Sequence, residues 1–399
     1  MARVIAYTAT SAVGQGRKAL LDALMQGRSG LQPCDFPQAE IATWIGAVEG
    51  LEAVTLPAEL APWDCRNNRL AWLGLQADGL HAAVQQAVQA LGSARVGLIL
   101  GTSTSGILSA EQAYQHRAPD SGALPAWFDY RRTHDTAALS GFVAAVHGLT
   151  GPALTISTAC SSSAKAFAAA DRWLQQGVVD AVLVGGVDSL CLTTLYGFSS
   201  LELTSSQPCR PGDAHRDGLS IGEAAAFALL MRDGEDLAGV KASGMRLAGW
   251  GESSDAHHMS APHPEGLGAR MAMQAALRSA GLSAGDIDYI NLHGTATPAN
   301  DQAEGAAVAA VLGTAVNCSS TKGLTGHTLG AAGGLEAVVC LLALEQGLVP
   351  ATVGLQQPDP GIALKPALRS RRMPVRHAMS NSFGFGGSNC SLIVSREAA

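Results

Sequence analysis

Two pairs of stretches echo one another across the midpoint of this chain, and that echo constrains the fold more than any other feature. VGLILGTSTSG (96–106) resembles DYINLHGTATP (288–298): each is an apolar run that closes in Gly-Thr-x-Thr. ALTISTACSSSAKAFAAADRWLQQG (153–177) resembles AVNCSSTKGLTGHTLGAAGGLEAVVCLLALEQG (315–347) in the same way. Both members of this second pair run from a short apolar strand through a Ser/Thr turn into an Ala-rich helix ending at Gly. Between them, RVIAY, DAVLVGG, AAAFALLM and SLIVS read as further strands. KALLDALMQG, LAWLGLQADGLHAAVQQAVQAL and MAMQAALRSAG have helical period. Strands alternating with helices argue for an α/β protein whose sheets are covered by helices. Two similar halves are expected, 1–240 and 241–399, meeting where MRDGEDLAGVKASG breaks the pattern.

Composition narrows the class. An apolar content of 47% over 399 residues is ample for a large core, and 46 glycines with 5% aromatics suit backbones that pack closely. A net charge of −7 argues against a nucleic-acid partner, which would need clustered Lys and Arg. The pairs Arg131–Arg132 and Arg371–Arg372 read as solvated surface charge. No uninterrupted apolar run suggests a membrane span, and the N-terminal stretch reads as a first strand rather than a secretory signal. Eight cysteines without CxxC spacing suggest a reduced, cytoplasmic protein.

The chemistry gathers at four places. Cys160 falls between an apolar strand and a helix, KAFAAADRWLQQG, that is apolar around most of its circumference and so buried. A thiol there is either a packed core residue or a nucleophile. The start of a helix would lower its pKa, whereas apolar surroundings would raise it. His293 ends a strand and is followed by two hydroxyls, Thr295 and Thr297. Lys322, His327 and Glu336 share TKGLTGHTLGAAGGLE. NSFGFGGSNCSLIV is a Gly-rich turn carrying Phe383 and Phe385, of the kind that can present a backbone N–H to an oxyanion. His257, His258 and His263 lack good zinc spacing and read as a surface loop. The remaining glycines do not form a dinucleotide fingerprint.

In this order, TAC, HGTATP, TKGLTGHTLGAAG and NSFGFGG closely resemble the β-ketoacyl-acyl-carrier-protein synthases, condensing enzymes of the thiolase-like fold. The resemblance covers nearly the whole chain, and the Cys–His–His set resembles the elongating type. Cys390, followed by Ser391 and Leu392, does not match the second-cysteine motif of thiolases. The resemblance implies two halves in a layered α-β-α-β-α arrangement. It implies that Cys160 holds the acyl chain as a thioester and that the N–H groups of Cys160 and Phe385 form the oxyanion hole. His293 and His327 would bond the thioester oxygen of malonyl carrier protein while CO₂ leaves. Lys322 would be anchored by Glu304 or Glu336, and Thr295 and Thr297 would hold the phosphopantetheine arm. Phe385 would gate the acyl pocket with Phe383 beside it. The enzyme itself would need no cofactor, since phosphopantetheine arrives on the carrier. No metal is assigned, although the resemblance allows a monovalent cation near Glu336 and Asn381.

Three departures bear on the substrate. Thr104 stands where the family commonly has Gly or Ile at the acyl pocket. Lys165 lies in a helix that should be buried, and is expected to face away from the site and pair with a carboxylate. Arg131, Arg132, His134 and Asp135 replace an apolar stretch at the dimer contact and pocket floor. These features resemble synthases of specialised pathways such as aryl polyene assembly, with housekeeping fatty-acid elongation as the alternative. A chain-length factor, a partner subunit without condensing chemistry, is the non-enzyme alternative, and Cys160 argues against it. Expected partners are an acidic acyl carrier protein, docking on Arg66 and Arg69, and a second subunit, identical or chain-length-factor-like, pairing through DAVLVGG.

Overall fold

The computed structural model describes residues 2–233 and 242–396. Ten strands make up the body of one continuous sheet, five from each half. The first half contributes β1 (Ala2–Ser11), β2 (Val96–Gly101), β3 (Ala153–Ile156), β4 (Ala181–Asp188) and β5 (Ala224–Arg232) in the order β3-β2-β4-β5-β1. The second contributes β6 (Met245–Ser254), β7 (Tyr289–Asn291), β8 (Asn317–Ser319), β9 (His377–Gly384) and β10 (Ser388–Arg396) in the order β8-β7-β9-β10-β6. Both orders are 3-2-4-5-1. In each half the first three strands of the order are parallel and the other two pairings antiparallel. The echo in the sequence is therefore an echo of topology. The halves join where Ala2–Val4 of β1 pairs with Met245–Leu247 of β6. The expected boundary at 240 falls among residues 234–241, outside the described residues.

Burial explains why the strands read as unbroken apolar runs. Along β5, Ala224, Ala226, Ala228 and Leu230 face one core, and Ala225, Phe227, Leu229 and Met231 face another. The first core holds α5 (Ser162–Gln175) and α8 (Ala332–Gln346), which pack against strands of both halves. The second is capped by α2 (Arg66–Leu75), α3 (Leu80–Leu91) and α4 (Ala137–His147). On the far side α6 (Leu267–Ala280) and α7 (Pro298–Leu312) cover the second half. Five layers result. Leu329–Gln346 is long and apolar enough to cross a membrane, and its place in the middle layer accounts for that composition, because every residue from Ala332 to Leu344 is buried.

The structure differs from the sequence reading in several elements, among them β9, whose Asn381–Gly384 end takes up the start of the expected Gly-rich turn. LAWLGLQADGLHAAVQQAVQAL is two helices, not one. Asp78 and Gly79 adopt left-handed φ of 54° and 73°, and the Asp78 carboxylate accepts from the Thr8 hydroxyl and the Arg17 N–H, each at 2.7 Å. That anchoring to β1 and to α1 (Gly16–Gln26) stops the helix. β6 was not anticipated because its glycines read as breaks. A Cβ at Gly251 would stand 2.1 Å from the Ala272 carbonyl, so glycine is what lets α6 lie on this strand.

Candidate active site

Cys160 sits in a tight turn between β3 and α5. Ala159 before it holds a left-handed φ of 52°. The Ser162 hydroxyl donates to the Ala159 carbonyl at 2.6 Å and accepts from the Thr158 N–H at 2.9 Å. Close approach behind the turn depends on Gly101, where a Cβ would come within 2.3 Å of the Ser163 nitrogen. The thiol is 5% exposed. Burial pushes its pKa up to about 11, against a smaller lowering by the Lys322 charge and a hydrogen bond from the Phe385 backbone. Of the two directions open from the sequence, the raised pKa expected of apolar surroundings is the one found.

The other half brings its residues to the same point. His293 follows β7, and Glu304 on α7 holds its turn by accepting the N–H groups of His293 (2.8 Å) and Gly294 (2.7 Å). Lys322, 1% exposed, donates to the Glu336 carboxylate and to the His293 carbonyl, each at 2.5 Å, and faces the His293 Nδ1 at 3.5 Å. Glu336 is thus the carboxylate that pairs with Lys322, while Glu304 braces the backbone and accepts from the Asn381 amide. His327 Nε2 lies 3.1 Å from the Cys160 sulfur, and its Nδ1 accepts the Leu329 N–H at 3.2 Å.

These contacts fix the tautomers. A backbone N–H and an ammonium can only donate, so the Nδ1 atoms of His327 and His293 are acceptors and each ring proton sits on Nε2. Burial, and then the Lys322 charge, hold both imidazoles well below the ordinary histidine pKa, so both are neutral. The rings stand edge to face with centroids 5.3 Å apart. One donor atom each from Cys160, His293 and His327 lies within 4.8 Å of the others, a grouping compact enough for a metal. The Lys322 ammonium, 3.5 Å from the His293 Nδ1, makes it a poor one, because it already occupies that side of the ring and repels a second cation.

A cavity of about 370 Å³ opens onto this group. Thr295 and Thr297 line it, their hydroxyls 2.8 Å apart, as do Phe383 and Phe385. Gly384 carries the Phe385 backbone past the thiol; a Cβ there would stand 3.2 Å from the Cys160 nitrogen. Phe385 stacks on Phe198 at 5.4 Å, and Phe383 lies 6.0 Å from the His293 ring. The sequence reading missed Phe198, Leu201 and Leu203 on the apolar wall, since nothing marks them off from ordinary core residues. It also missed that Ser260, Ala261 and Pro262 bring the histidine loop to the cavity. That loop is otherwise as expected: His258 Nδ1 accepts backbone N–H groups and His257 rests against His263.

Several expectations are corrected. Thr104 does not line the cavity; its hydroxyl donates to buried Asp188 at 2.7 Å. Arg66 is not a free docking charge: its side chain is 8% exposed and held by Glu223 and Glu52. Arg69 forms a two-pronged pair with Asp64. Lys165 has no carboxylate partner among the described residues. Arg131, Arg132, His134 and Asp135 lie in or beside the turn Tyr130–His134 and do not line the cavity. DAVLVGG cannot pair with another subunit, because β4 lies between β2 and β5 and is wholly buried. The free edge of the first half is β3, with Leu154 exposed. Asn381 is engaged by Glu304 and Ser391, whereas one Glu336 oxygen has no partner among the described residues.

Two alike halves that bring a thiol from one and two imidazoles from the other to a single cavity define a thiolase-like condensing enzyme. The chain belongs to the β-ketoacyl synthase family: residues 69–236 match its N-terminal domain and 245–356 its C-terminal domain. It is 31% identical to 3-oxoacyl-[acyl-carrier-protein] synthase 2 of Coxiella burnetii over 97% of this chain and 96% of that one. To the Vibrio cholerae protein of the same name it is 35% identical over 76% of each. Among solved structures, a ketosynthase in complex with its chain length factor from Xenorhabdus doucetiae is 36% identical, with a TM-score of 0.86, over 99% of this chain and 98% of that one. The protein is accordingly an acyltransferase that forms β-ketoacyl products on acyl carrier protein.

Proposed function

We propose that Cys160 is the acyl-holding nucleophile and that His293 and His327 drive decarboxylation. The observation that carries this reading is the pair of fixed tautomers, each presenting an Nε2–H toward the thiol's cavity. In the first half-reaction the Cys160 sulfur attacks the acyl-carrier thioester, and the thiol proton passes to the departing carrier thiol. The His327 Nε2–H, 3.1 Å from the sulfur, is placed to donate to the sulfur as that proton leaves. The N–H groups of Cys160 and Phe385 stabilise the oxyanion. Malonyl carrier protein then enters, with its arm along Thr295 and Thr297. As CO₂ leaves, negative charge grows on the thioester oxygen, where the two Nε2–H donors act most strongly in the transition state. The carbanion attacks the Cys160 thioester, the C–S bond breaks, and a chain two carbons longer leaves on the carrier.

Neutral histidines suit this step. An imidazolium would hold the ground-state malonyl carboxylate as well as the enolate, whereas a neutral donor discriminates between them. Burial, and then the Lys322 charge, keep both rings neutral; Lys322 also anchors His293, with its own charge balanced by Glu336.

The acyl chain proposed is that of a specialised, aryl polyene-like pathway. The likeness to a ketosynthase that works with a chain length factor supports this. Thr104 and the Arg131–Asp135 segment no longer do, because neither meets the cavity. Likeness to the synthase 2 enzymes favours housekeeping elongation as the second reading. The proposed second subunit, chain-length-factor-like or identical, adds along β3, whose outer edge has no strand partner among the described residues, in a cytoplasmic protein. Intact mass after exposure to saturated, polyunsaturated and aryl-bearing acyl carrier proteins tests both levels. An adduct lost in Cys160→Ala establishes the nucleophile, and the preferred chain names the pathway. Failure of every chain, with and without a partner subunit, would refute the condensing role of this cysteine.

A further inference from the structure

Asp188, at the end of β4, is fully buried and meets only donors. One oxygen accepts the hydroxyls of Thr102 and Thr104, each at 2.7 Å, and the N–H groups of Ser103 and Thr104, each at 2.8 Å. The other accepts the Gly330 N–H at 2.5 Å. The Ser103 hydroxyl in turn donates to the carbonyl of Ala159, next to the nucleophile, at 3.3 Å. One carboxylate therefore ties together the loop after β2, the cysteine turn and the turn that follows His327.

A second, independent feature marks the same three segments. Each contains a non-glycine residue in the left-handed region: Ser105 at φ 45°, Ala159 at 52° and Leu329 at 51°. Such conformations persist only where the surroundings over-determine them, and they gather at functional sites. Leu329 matters most, because its N–H fixes the His327 tautomer. Gly330 is matched to the carboxylate as well; a Cβ there would come within 2.7 Å of Asp188.

We propose that Asp188 is a positioning residue for the condensation: its carboxylate holds the Thr328–Gly330 turn and, through the Leu329 N–H, aims the His327 Nε2–H at the reacting oxygen. Asp188 does not line the cavity, so it acts through His327 and not on substrate. A carboxylate is required because every partner is a donor. An amide would turn an NH₂ group toward either the Gly330 N–H or the Thr102 and Thr104 cluster, and one of the two would be repelled.

This inference rests on the proposed role of His327, and a double-mutant cycle separates the two. Asp188→Asn should lower kcat for decarboxylation of malonyl carrier protein by tenfold or more, with KM within twofold. In a His327→Ala background the same change should add nothing. A fully additive loss, or an unchanged kcat in Asp188→Asn, would overturn the proposal. Where Asp188→Asn does not fold, Thr104→Val removes one donor from the same carboxylate. It should give a smaller kcat loss that also vanishes without His327, and an unchanged kcat there counts equally against the idea. If His327→Ala leaves decarboxylation intact, the role of His327 fails and the proposal with it. Amide exchange at Gly330, faster in Asp188→Asn, reports the hold on the turn independently of the chemistry, and unchanged exchange would refute that hold.

Discussion

Acid should weaken this protein through one histidine remote from the cavity. His147, the last residue of α4, is 3% exposed, and neither ring nitrogen has a partner among the described residues. Its ring stacks on His81 at 4.8 Å. Burial, then the His81 charge, pushes its pKa from 6.5 down to about 3. The unfolded chain binds a proton at this position below pH 6.5, and the folded chain does not until about pH 3. The stability involved is thus fully present above 6.5 and is lost as pH falls through that window. At pH 5.0 the loss is about 1.36 × 1.5, or roughly 2 kcal/mol, and by pH 3 it approaches about 5 kcal/mol. Urea unfolding of the wild type and of His147→Leu at pH 7.5 and 5.0 measures it. Carboxylates and the histidines that do not touch His147 contribute equally in both proteins and cancel in the difference. The stability difference between the two proteins should shift by about 2 kcal/mol in favour of the leucine variant on acidification. Parallel pH dependences would show that His147 is not held neutral, and the argument from its burial would fall.

Other perturbations address the site. Cys160→Ala should abolish condensation, measured as β-ketoacyl product, while leaving the fold intact by circular dichroism. Lys322→Met leaves Glu336 buried without its cation and should cost about 3–5 kcal/mol in denaturant unfolding, least at low pH, where Glu336 takes up a proton. Adding Glu336→Gln should recover that stability but not turnover, because His293 still lacks its anchor; recovered turnover would contradict the role given to Lys322. Gly384→Ala places a methyl 3.0 Å from the Thr158 carbonyl and 3.2 Å from the Cys160 nitrogen. The rate of Cys160 acylation should fall at least tenfold, read by mass spectrometry of the adduct. Arg69→Ala should leave KM for carrier protein within twofold, because Asp64 already neutralises that charge; a large rise would restore Arg69 as a docking residue.

Much of the architecture was legible in the chain because burial on both faces leaves an unmistakable pattern. β2, β4 and β5 are continuous apolar runs, and the echo of β2–β3–α5 in β7–β8–α8 announced two alike halves. β6 was not legible, since Gly249 and Gly251 look like breaks until α6 is seen lying against them. Nor was the interruption between α2 and α3, which depends on Asp78 reaching back to Thr8 and Arg17. The four motifs singled out Cys160, His293, Lys322 and His327 by residue type, and the fold brings all four together.

Sequence alone determined which groups could react and which strand–turn–helix units carry them, because local spacing fixes what sits at the end of each strand. Only the tertiary structure decided their state. That the thiol is pushed up rather than down in pKa, that both imidazoles are neutral with protons on Nε2, and that Glu336 rather than Glu304 balances Lys322 all follow from desolvation and from partners far away in the chain. Asp188 belongs to the same category. Nothing near it in sequence names Gly330 or the cysteine turn as its companions, and a carboxylate's electrostatic role is set by the donors that surround it in space.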